Sequence, residues 1–308
     1  MTGVATFASP YLAAEEPSQW LRGNHHGHST RSDGDETPPQ LLAAYEGEGY
    51  QYLAFSEHDL FLDPADYQAE TTMCLLPAVE VTSVHGQSLM HLGPPHPLPA
   101  RTLQPMDIMR AVHDAGGLFI FDHPNWQPVP EYATNVLLDS MQGLVGMEIY
   151  CGVIERLTGE ARATDRWDRL LSQGLRVWGH GTDDQHIASD RFIAWNCVQW
   201  PPHEAVDATG VIEALRHGRF YASTGVSITT VGTTDAEGVC QVVSDGDEIH
   251  WIANGGVIIK KTIGGQSSVS VRELQQAELP DGDRYVRAEC LGAGARTAWT
   301  QPFWLQTP

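Results

Sequence analysis

Histidines and carboxylates are concentrated in one short stretch near the start of the chain, "GNHHGHSTRSDGDE", residues 23–36. Three histidines fall within four positions there, and three carboxylates follow within the next eight. Imidazole nitrogens and carboxylate oxygens are common ligands of Zn²⁺, Mn²⁺ and Fe²⁺. A polar run of this kind is also typical of a solvated loop. The stretch alone therefore leaves a metal site and a loop as open alternatives.

Further residues of the same types follow five apolar segments that have the length of strands. In parallel α/β folds the active site lies at the carboxyl ends of the strands, so we expect these residues to converge on one mouth. The segments and the residues after them are "YLAF" with Ser56, Glu57, His58 and Asp59; "LLPAV" with Glu80; "LFIF" with Asp122 and His123; "VGM" with Glu148; and "LRVW" with "GHGTDDQH".

The spacing of two ligand pairs supports a shared cluster. His26 and His28 are two positions apart, as are Asp184 and His186. On an extended chain, residues two apart point to the same side, so each pair can supply two ligands to one site. No cysteine accompanies them, which favours a hydrolytic Zn²⁺, Mn²⁺ or Fe²⁺ site over a structural zinc.

The elements that must position these residues alternate between helices and apolar strands up to about residue 200. Thr37 and Pro38 mark the start of a helix in "TPPQLLAAYEGEGY". The segments "QPMDIMRAVHDAGG" and "EARATDRWDRLLSQG" predict two more, and a fourth is expected at about residues 208–217. In the second of these helices, Gly116 is the expected C-terminal stop. Repeated helix–strand units predict a parallel sheet, open or closed into a barrel.

The pattern of apolar and turn-forming residues changes near Gly225. Strand-length segments alternate there with turn formers such as "SDGD", "NGG" and "PDGD", and no convincing helix is present. This pattern predicts an antiparallel, β-sandwich-like module. We expect an α/β domain at residues 1–222 and the β module at residues 223–308.

The charge balance excludes some function classes. The chain of 308 residues has 18 Lys and Arg against 39 Asp and Glu, a net charge of −21. Such a surface repels nucleic acid and anionic membranes, so general nucleic-acid or membrane binding is not expected. Some of the acid could serve multivalent cations, although solubility accounts for most acidic residues.

Cysteine usage and the N-terminal sequence bear on the compartment. The five cysteines show no Cys-x-x-Cys spacing, which predicts reduced residues of a cytoplasmic protein. The first twenty residues lack the pattern of a signal peptide. No apolar run reaches the roughly 18 residues of a membrane span. We therefore expect a soluble, cytoplasmic protein.

Taken in order, these motifs resemble the PHP (polymerase and histidinol phosphatase) family of metal-dependent phosphoesterases. The resemblance covers nearly the whole chain after about residue 20, and the late segments resemble stand-alone bacterial members that carry a C-terminal β module. Each motif is weak alone, but the ordered set is highly specific. The matching segments are "GNHHGHSTRSDG", "AFSEHD", "PAVEVTS", "MHLG", "FIFDHP", "GMEIY", "GTDDQH", "ALRHGRFYASTG" and "YVRAE…AWTQPFWL".

The resemblance implies a distorted (βα)7 TIM-like barrel that holds two or three divalent ions of Mn²⁺, Zn²⁺ or Fe²⁺. It implies one ligand set for each of three ions. The sets are His26, His28, Glu80 and Asp184 for the first ion; Glu80, as a bridge, with His91 and His123 for the second; and Asp33, His58 and His186 for the third. By the same resemblance, His25, Asp35 and Glu36 are not ligands.

The chain departs from the family pattern at two positions. Asn24 stands where the family has an aspartate before the first histidine pair, as it does in stand-alone relatives. The family's "TDH" is "SEH" here, which places the longer Glu57 beside His58. Glu57 is a candidate for orienting an imidazole.

Several other residues are candidates for supporting roles. Glu57, Asp183 and His180 could each protonate a leaving group, and the sequence does not choose among them. Arg31 could pair with a substrate phosphate, with a plain surface arginine as an equal alternative; Arg191 is a weaker candidate. Glu148 is expected to support the ligands rather than bind metal. The remaining histidines are expected on the surface or in packed positions: His85, His96, His113, His203, His217 and His250.

The functional hypothesis is a metal-dependent phosphoesterase acting on a small phosphate monoester or a short nucleotide phosphodiester. Divalent ions lower the pKa of a bound water from about 15.7 towards 7, so that a metal-bridged hydroxide can attack phosphorus. One alternative is a metal-dependent hydrolase of a non-phosphate ester or amide. Another is a catalytically silent metal-binding module. The expected partner is a small phosphorylated substrate, and the oligomeric state is not predicted.

Overall fold

The computed structural model describes residues 5–12, 19–93, 98–129, 132–234 and 238–307. His96, one of the histidines expected away from the site, lies outside these residues. Within them, no helix is long and apolar enough to cross a membrane. All five cysteines are unpaired, and four of them are buried.

The structure contains the following strands and α-helices, given in chain order. The strands are β1 (Thr6–Ala8), β2 (Gln19–Asn24), β3 (Tyr52–Phe55), β4 (Cys74–Thr82), β5 (Ser88–Leu92), β6 (Leu118–Phe121), β7 (Gly146–Cys151), β8 (Trp178–Thr182), β9 (Trp195–Trp200), β10 (Phe220–Ser223), β11 (Ile228–Thr234), β12 (Val239–Ser244), β13 (Glu248–Ala253), β14 (Val257–Ile263), β15 (Gln266–Ser270), β16 (Tyr285–Leu291), β17 (Thr297–Thr300) and β18 (Phe303–Gln306). The helices are α1 (Pro38–Gly47), α2 (Pro105–Asp114), α3 (Asn135–Ser140), α4 (Thr164–Ser172), α5 (Ala208–Arg216) and α6 (Val271–Gln276).

The main sheet places the predicted strands side by side. Strands β2, β3 and β4 are parallel neighbours, and so are β6, β7 and β8. Strand β5 joins the two groups through antiparallel pairs with β4 and β6. Beyond β2, the strands β9 and β10 continue the sheet in antiparallel fashion. The protein is therefore a mixed α/β fold built on a sheet of consecutive, largely parallel strands, as the helix–strand alternation predicts.

Local sequence explains the helices that were expected. Helix α1 follows Thr37, and its N-terminal capping box is completed by Gln40. Helix α2 buries Ile108, Met109 and Val112 against the sheet and ends before Gly116, whose φ of +76° suits glycine. The apolar periodicity and the start and stop signals thus predicted both helices correctly.

Three strand boundaries differ from the sequence prediction. Strand β8 begins at Trp178, so most of "LRVW" precedes it. Its small residues are needed because neighbours come close: a Cβ on Gly179 would lie 2.9 Å from Ile149 and Trp167 atoms. Strands β4 and β7 extend past their apolar runs, so Glu80 and Glu148 lie inside strands rather than after them.

Two side-chain amides meet the edge of β8. Asn196 of β9 exchanges hydrogen bonds with the backbone of Gly181, at 2.8 and 3.0 Å. Gln301 does the same with Gly179, at 2.8 Å in both directions. In the part of the chain that the structure describes, no backbone ladder joins β8 to β9. Closure into a (βα)7 barrel therefore stays a prediction.

The chain after β10 is largely antiparallel strand. Strands β11, β12 and β15 form a separate three-stranded sheet. Strand β17 pairs with β10 and so belongs to the main sheet. Through β17, the strands β13, β14, β16 and β18 also join the main sheet. Strand β1 pairs with β18. The expectation of no helix here is wrong, because α6 follows β15 with Ser270 and Glu273 forming its capping box. The boundary between residues 222 and 223 stays a prediction.

A buried ion-pair network joins α4 to β16. The guanidinium of Arg287 donates to both carboxylate oxygens of Asp168 at 2.7 Å and to Glu289 at 2.9 Å. Arg162 donates to the same Glu289 at 2.6 Å, and the Tyr285 hydroxyl donates to Asp168 at 2.8 Å. Each charged group in this network thus has an opposite charge at hydrogen-bonding distance.

Candidate metal centre

The loop after β2 is held between two strand ends. Gly27 donates to the Ser56 hydroxyl at 2.9 Å and accepts from the Ser56 backbone at 3.0 Å. On the other side, the His28 amide donates to the Gln185 carbonyl at 2.9 Å. These bonds place His26 and His28 between the ends of β3 and β8, where the predicted convergence of ligand types occurs.

Four buried ligand atoms form what we call the inner cluster: His26 Nε2, His28 Nε2, Glu80 Oε2 and Asp184 Oδ1. The two imidazole nitrogens lie 3.3 and 3.1 Å from the glutamate oxygen and 3.2 and 3.0 Å from the aspartate oxygen. None of the four atoms has a hydrogen-bond partner among the described residues. Buried polar atoms are normally satisfied, so this arrangement calls for a missing partner.

The geometry of the inner cluster fits a divalent cation. A tetrahedral ion with bonds of about 2.0–2.1 Å holds its ligand atoms about 3.3 Å apart. The nitrogen–oxygen separations of 3.0–3.3 Å are close to that value. Two carboxylates supply the negative charge that a buried dication needs. The residues present therefore fit the metal that the resemblance implies.

A second group, the outer cluster, consists of His28, Asp33, His58 and His186. Asp33 lies 3.4 Å from His58 and 3.5 Å from His186, measured between carboxylate oxygen and imidazole Nε2. The Asp33 side chain is 52% exposed, so this cluster opens to solvent. The resemblance placed the last three residues together, and the structure adds His28 as a member shared with the inner cluster.

Glu80 lies between several imidazoles. Its Oε2 atom faces His26 and His28 and is 2.9 Å from His58 Nδ1. Its Oε1 atom is 3.4 Å from His123 Nε2. The two oxygens of one carboxylate therefore point to different histidines, which is the arrangement that a bridging ligand requires.

The structure does not bring His91 to Glu80. In the antiparallel pairing of β4 and β5, Glu80 is opposite Met90, and His91 is opposite Val79. Alternate residues of a strand face opposite sides, so His91 lies on the other face of the sheet. A Cβ on Gly117 would be 2.6 Å from its Nε2, in the layer beneath α2. The predicted second ligand set is thus incomplete, because the pairing of β4 with β5 places Glu80 and His91 on opposite faces of the sheet.

Two polar contacts fix the orientation of histidine rings. Glu148 Oε1 lies 2.7 Å from His26 Nδ1, which places the proton on Nδ1 and leaves Nε2 to face the inner cluster. The other oxygen of Glu148 accepts from the His123 backbone at 2.6 Å. The Tyr132 hydroxyl is 3.2 Å from His123 Nδ1. Glu148 thus has the supporting position expected for it.

The electrostatics of the metal-free clusters favour a positive charge. Burial lowers the pKa of His26, but Asp184, Glu148 and Glu80 raise it well above the ordinary value. Burial likewise opposes the effect of nearby carboxylates at His58 and His186, whose pKa values rise to about 11 and about 9. The carboxylates therefore favour protonated imidazole rings when no cation is present. A bound metal ion would displace those protons.

Backbone strain accompanies the ligands at two positions. His123 has a φ of +28° and Asp184 a φ of +50°, both unusual for residues other than glycine. The spacing of Asp184 and His186 predicted an extended chain, and this prediction is wrong for Asp184. They reach different clusters, with Asp184 in the inner and His186 in the outer one.

Glu57 has a different role from the one expected. Its carboxylate accepts from the Ser29 backbone at 3.1 and 3.2 Å and from the hydroxyls of Ser29 and Ser32. It is fully buried by these contacts. Glu57 therefore anchors the turn that precedes Asp33, and the structure shows it neither orienting an imidazole nor facing the mouth.

Asp183 is also committed to structure. Its carboxylate accepts from the Tyr45 hydroxyl at 2.7 Å and from three successive amides, those of Phe192, Ile193 and Ala194, at 2.8–2.9 Å. Burial raises its pKa to about 6, against the opposing effect of these hydrogen bonds. The structure does not bring Asp183 to the clusters, and its geometry gives no support to a role in protonating a leaving group.

Three further supporting candidates have no described contact with the clusters. His180 is buried, with its ring 5.0 Å from that of His25 and 4.6 Å from that of Phe220, and burial lowers its pKa well below the ordinary value. Arg31 is exposed, and no described contact joins its guanidinium to the clusters. Arg191 pairs with Glu36 at 3.1 Å.

Asp122 was expected at the mouth because it follows "LFIF" directly, but it was given no role as a ligand or supporting residue. It is fully buried and forms a possible ligand group with His26 and Glu148. Burial and the nearby Glu148 raise its pKa well above the ordinary value. The signal was its position at a strand end. By contrast, nothing in the sequence indicated that Tyr132 would reach His123.

Comparisons with known proteins give similarity in structure only. No family model and no curated protein matches the chain. A two-domain protein from Bacteroides vulgatus, containing a predicted PHP-like metal-dependent phosphoesterase, has a TM-score of 0.52 at 16% identity, over 97% of this chain and 98% of that one. A provisionally assigned metal-dependent phosphoesterase from Bifidobacterium adolescentis has a TM-score of 0.47 at 18% identity, over 66% and 98%.

A third solved structure, an amidohydrolase from Chromobacterium violaceum, has a TM-score of 0.44 at 14% identity, over 63% of this chain and 96% of that one. The similarity to the Bacteroides vulgatus protein extends over nearly the full length of both chains, including the C-terminal part. The resemblance to PHP-like proteins predicted from the sequence is therefore confirmed in the fold.

Proposed function

We propose that this protein is a metal-dependent phosphoesterase that hydrolyses a small phosphate monoester or a short nucleotide phosphodiester. The observation that carries the proposal is the inner cluster. Its buried imidazole and carboxylate atoms lie 3.0–3.3 Å apart with no hydrogen-bond partner in the described chain. Such a set is costly to bury unless a cation completes it.

The residues that would hold cations follow from the two clusters. His26, His28, Glu80 and Asp184 would hold one ion, and Asp33, His58 and His186 would hold another. Glu80 and His123 face each other at 3.4 Å and would provide part of a third position, which lacks His91. When bound, divalent ions supply positive charge for phosphoryl oxygens and lower the pKa of water.

The chain's own contribution is to hold these ligands in place. Glu148 and Tyr132 fix the rings of His26 and His123, which limits the reorganisation needed when a substrate binds. Glu57 anchors the turn before Asp33, and Asp183 anchors the segment after Asp184 to α1. Three of these four residues are acidic, so much of the buried acid near the mouth supports the site indirectly.

The charge of the protein sets limits on the substrate. A net charge of −21 disfavours long polyanions, whereas a small phosphate ester can reach cations at the mouth. This supports a small phosphorylated substrate and argues against general nucleic-acid binding. We include in the proposal the closed barrel and the domain boundary after residue 222.

The test is a substrate panel with defined metal content. Purified protein would be stripped of metal, its content verified by elemental analysis, and then reloaded with Mn²⁺, Zn²⁺ or Fe²⁺. The rates would be measured with p-nitrophenyl phosphate, bis(p-nitrophenyl) phosphate and p-nitrophenyl acetate. We expect phosphate ester hydrolysis that depends on added metal and is lost again with chelator.

Three outcomes would overturn the proposal. Hydrolysis that persists in verified metal-free protein would exclude the clusters as its source. Hydrolysis of the acetate alone would favour a non-phosphate esterase. Stoichiometric metal binding without turnover of any phosphate ester would favour a metal-binding module.

A further inference from the structure

A cleft opens beside the outer cluster and is not explained by metal binding. It has a volume of about 480 Å³, and its lining includes Asp33 and His58 together with Ser88, Arg101 and Trp126. Because it begins at candidate metal ligands, a phosphoryl group held there would have the rest of its ester in this cleft. The lining residues that are not candidate ligands are therefore placed to contact the leaving group.

Arg101 places a guanidinium group in this cleft, and that group has few contacts with other described residues. Its side chain is 70% exposed, and its Nε atom lies 3.9 Å from Asp59 Oδ2, beyond hydrogen-bonding distance. The other oxygen of Asp59 already accepts from the Thr82 backbone at 2.7 Å. No hydrogen bond from the Arg101 guanidinium occurs within the described chain.

Three other arginines of this acidic chain show the contrast. Their guanidinium groups pair with carboxylates at 2.7–3.1 Å: Arg156 with Asp190, Arg191 with Glu36, and Arg216 with Glu213. Arg101, by contrast, lies 3.9 Å from the Asp59 carboxylate and lines the cleft that begins at candidate metal ligands.

The backbone holds Arg101 in a defined place. Its φ of +57° is in the left-handed region, which a residue other than glycine adopts at a cost. Its amide donates to the Thr82 carbonyl at 2.8 Å, which ties the residue to the end of β4, the strand that carries Glu80. The guanidinium is therefore attached to the same rigid element as the central ligand.

Trp126 forms another wall of the cleft. Its ring packs edge-on against His123 at 5.0 Å and against Tyr132 at 5.2 Å, so it is supported by residues of the metal centre. An indole wall beside a cation suits a flat ring that bears an anionic group, because the ring can contact the indole while the anion pairs with the guanidinium.

Resting on the proposed function, we propose that this cleft is a leaving-group subsite in which Arg101 binds a second anionic group of the substrate. The substrate class is then an aryl or nucleobase-containing phosphate ester that carries a further carboxylate or phosphate. The outer cluster faces the ester to be cleaved, and Arg101 faces the other anion. Esters without a second anion are predicted to be poorer substrates.

The test uses phenyl phosphate and its ortho-, meta- and para-carboxy derivatives with the metal-loaded protein. We expect at least one isomer to have a KM about 10- to 100-fold below that of phenyl phosphate, the range for a hydrogen-bonded charge pair. In Arg101→Gln, the kcat/KM for the preferred carboxy isomer divided by the kcat/KM for phenyl phosphate should fall to about one. Arg110→Gln, which changes an exposed arginine on α2 paired with Asp107, should leave the ratio unchanged.

Calorimetric binding of the same four compounds separates this inference from the proposed function. If no ester is hydrolysed, the proposed function fails, and the affinities still report whether the carboxylate adds binding that depends on Arg101. The inference is overturned if all isomers bind and react within about twofold of phenyl phosphate. It is equally overturned if an isomer keeps its advantage in Arg101→Gln.

Discussion

Charged side chains are buried in two regions of this protein, and the two regions differ in how the charge is balanced. Between α4 and β16, Arg287 supplies the positive charge, and the carboxylates Asp168 and Glu289 accept its hydrogen bonds at 2.7–2.9 Å. In the inner cluster, Glu80 Oε2 and Asp184 Oδ1 face imidazoles, and neither oxygen has a hydrogen-bond partner in the described chain. The first region is complete as a polypeptide, whereas the second is complete only with protons or cations.

The difference teaches how a structural site can be told from a functional one when both are buried and acidic. Asp183 and Asp184 show it at adjacent positions. Four donors satisfy Asp183, which fixes the chain, while Asp184 Oδ1 is directed at two imidazole nitrogens. A buried carboxylate oxygen without hydrogen-bond donors is thus the better indicator of a functional site. Its burial costs folding free energy, and no hydrogen bond within the protein offsets that cost.

The largest expected effect comes from Glu80→Gln. The amide removes the negative charge that would offset repulsion between neighbouring cations, and it is a poor bridge between them. We expect phosphoesterase turnover to fall by at least about 10³-fold, equivalent to about 4 kcal/mol of transition-state stabilisation. The fold should survive, because Gln has the same size as Glu and the change opens no core cavity.

Glu160→Gln is the matched control for that variant, since Glu160 is exposed in the loop between β7 and α4. Its rate and metal content should equal those of the parent. Full metal occupancy together with most of the rate in Glu80→Gln would show that Glu80 is not the bridging ligand.

The second effect concerns the other region. Arg287→Met leaves Asp168 and Glu289 buried without their shared cation, which should cost about 3–5 kcal/mol of unfolding free energy. Urea unfolding gives this value, and metal content per folded chain should stay unchanged. Arg169→Met breaks a partly exposed pair between Arg169 of α4 and Asp139 of α3 and should cost only about 0–1 kcal/mol. Equal losses in the two variants would contradict the distinction between buried and surface pairs.

Removing the metal should produce the third effect. At a free metal concentration of 100 times Kd, binding stabilises the folded state by about 2.7 kcal/mol, and chelation should remove that amount. The same decrement is expected in Arg287→Met, because the two regions share no residues and their effects should add. An unchanged melting temperature after verified metal removal would mean that the clusters bind no cation in the folded protein.

The smallest effect is the pH dependence of the metal-free protein. Burial lowers the pKa of His186, but Asp33 and Asp184 raise it to about 9, above the ordinary 6.5. The stabilising contribution is therefore fully present below pH 6.5 and is lost as the pH rises through 9. We expect this ring to contribute a loss of about 1 kcal/mol per pH unit within the window, measured by urea unfolding at intervals.

His186→Gln should reduce the slope but not abolish it, because the pKa values of His26 and His58 are also raised, whereas His217→Gln, at the exposed end of α5, should leave it unchanged. Metal-loaded protein should lack the slope, since bound cations take the place of the protons. A slope in His186→Gln equal to that of the parent would show that His186 does not contribute to it.

The sequence predicted the parts of the site that depend on local order along the chain. His26, His28, His58 and His123 follow short apolar strands, and the ends of neighbouring strands meet wherever a parallel sheet forms. Helices α1 and α2 could be predicted because their start and stop signals lie within a few residues of each other. These features need no knowledge of which segments pair.

The parts that failed depend on register and on distant partners. His91 was misplaced because one residue of strand register decides which face it occupies, and that register is set by the pairing of β4 with β5. Asp183 was taken for a candidate acid because its partners, Tyr45 and the segment from Phe192 to Ala194, are revealed only by the fold. Tyr132 and Arg101 could not be selected from the sequence either, because only the fold shows what they contact and no local pattern distinguishes them.

The amide of Gln301 at the edge of β8 has a consequence for synthesis of the protein. Gln301 is made 122 residues after Gly179, whose backbone it satisfies in both directions. Until Gln301 has been made and has docked, that part of the strand leading to Asp184 keeps an unpaired polar edge. Such edges pair readily with other chains, so a chain that has reached Asp184 but not Gln301 is prone to aggregation. The strand that leads to the metal centre is therefore completed by a residue far along the chain.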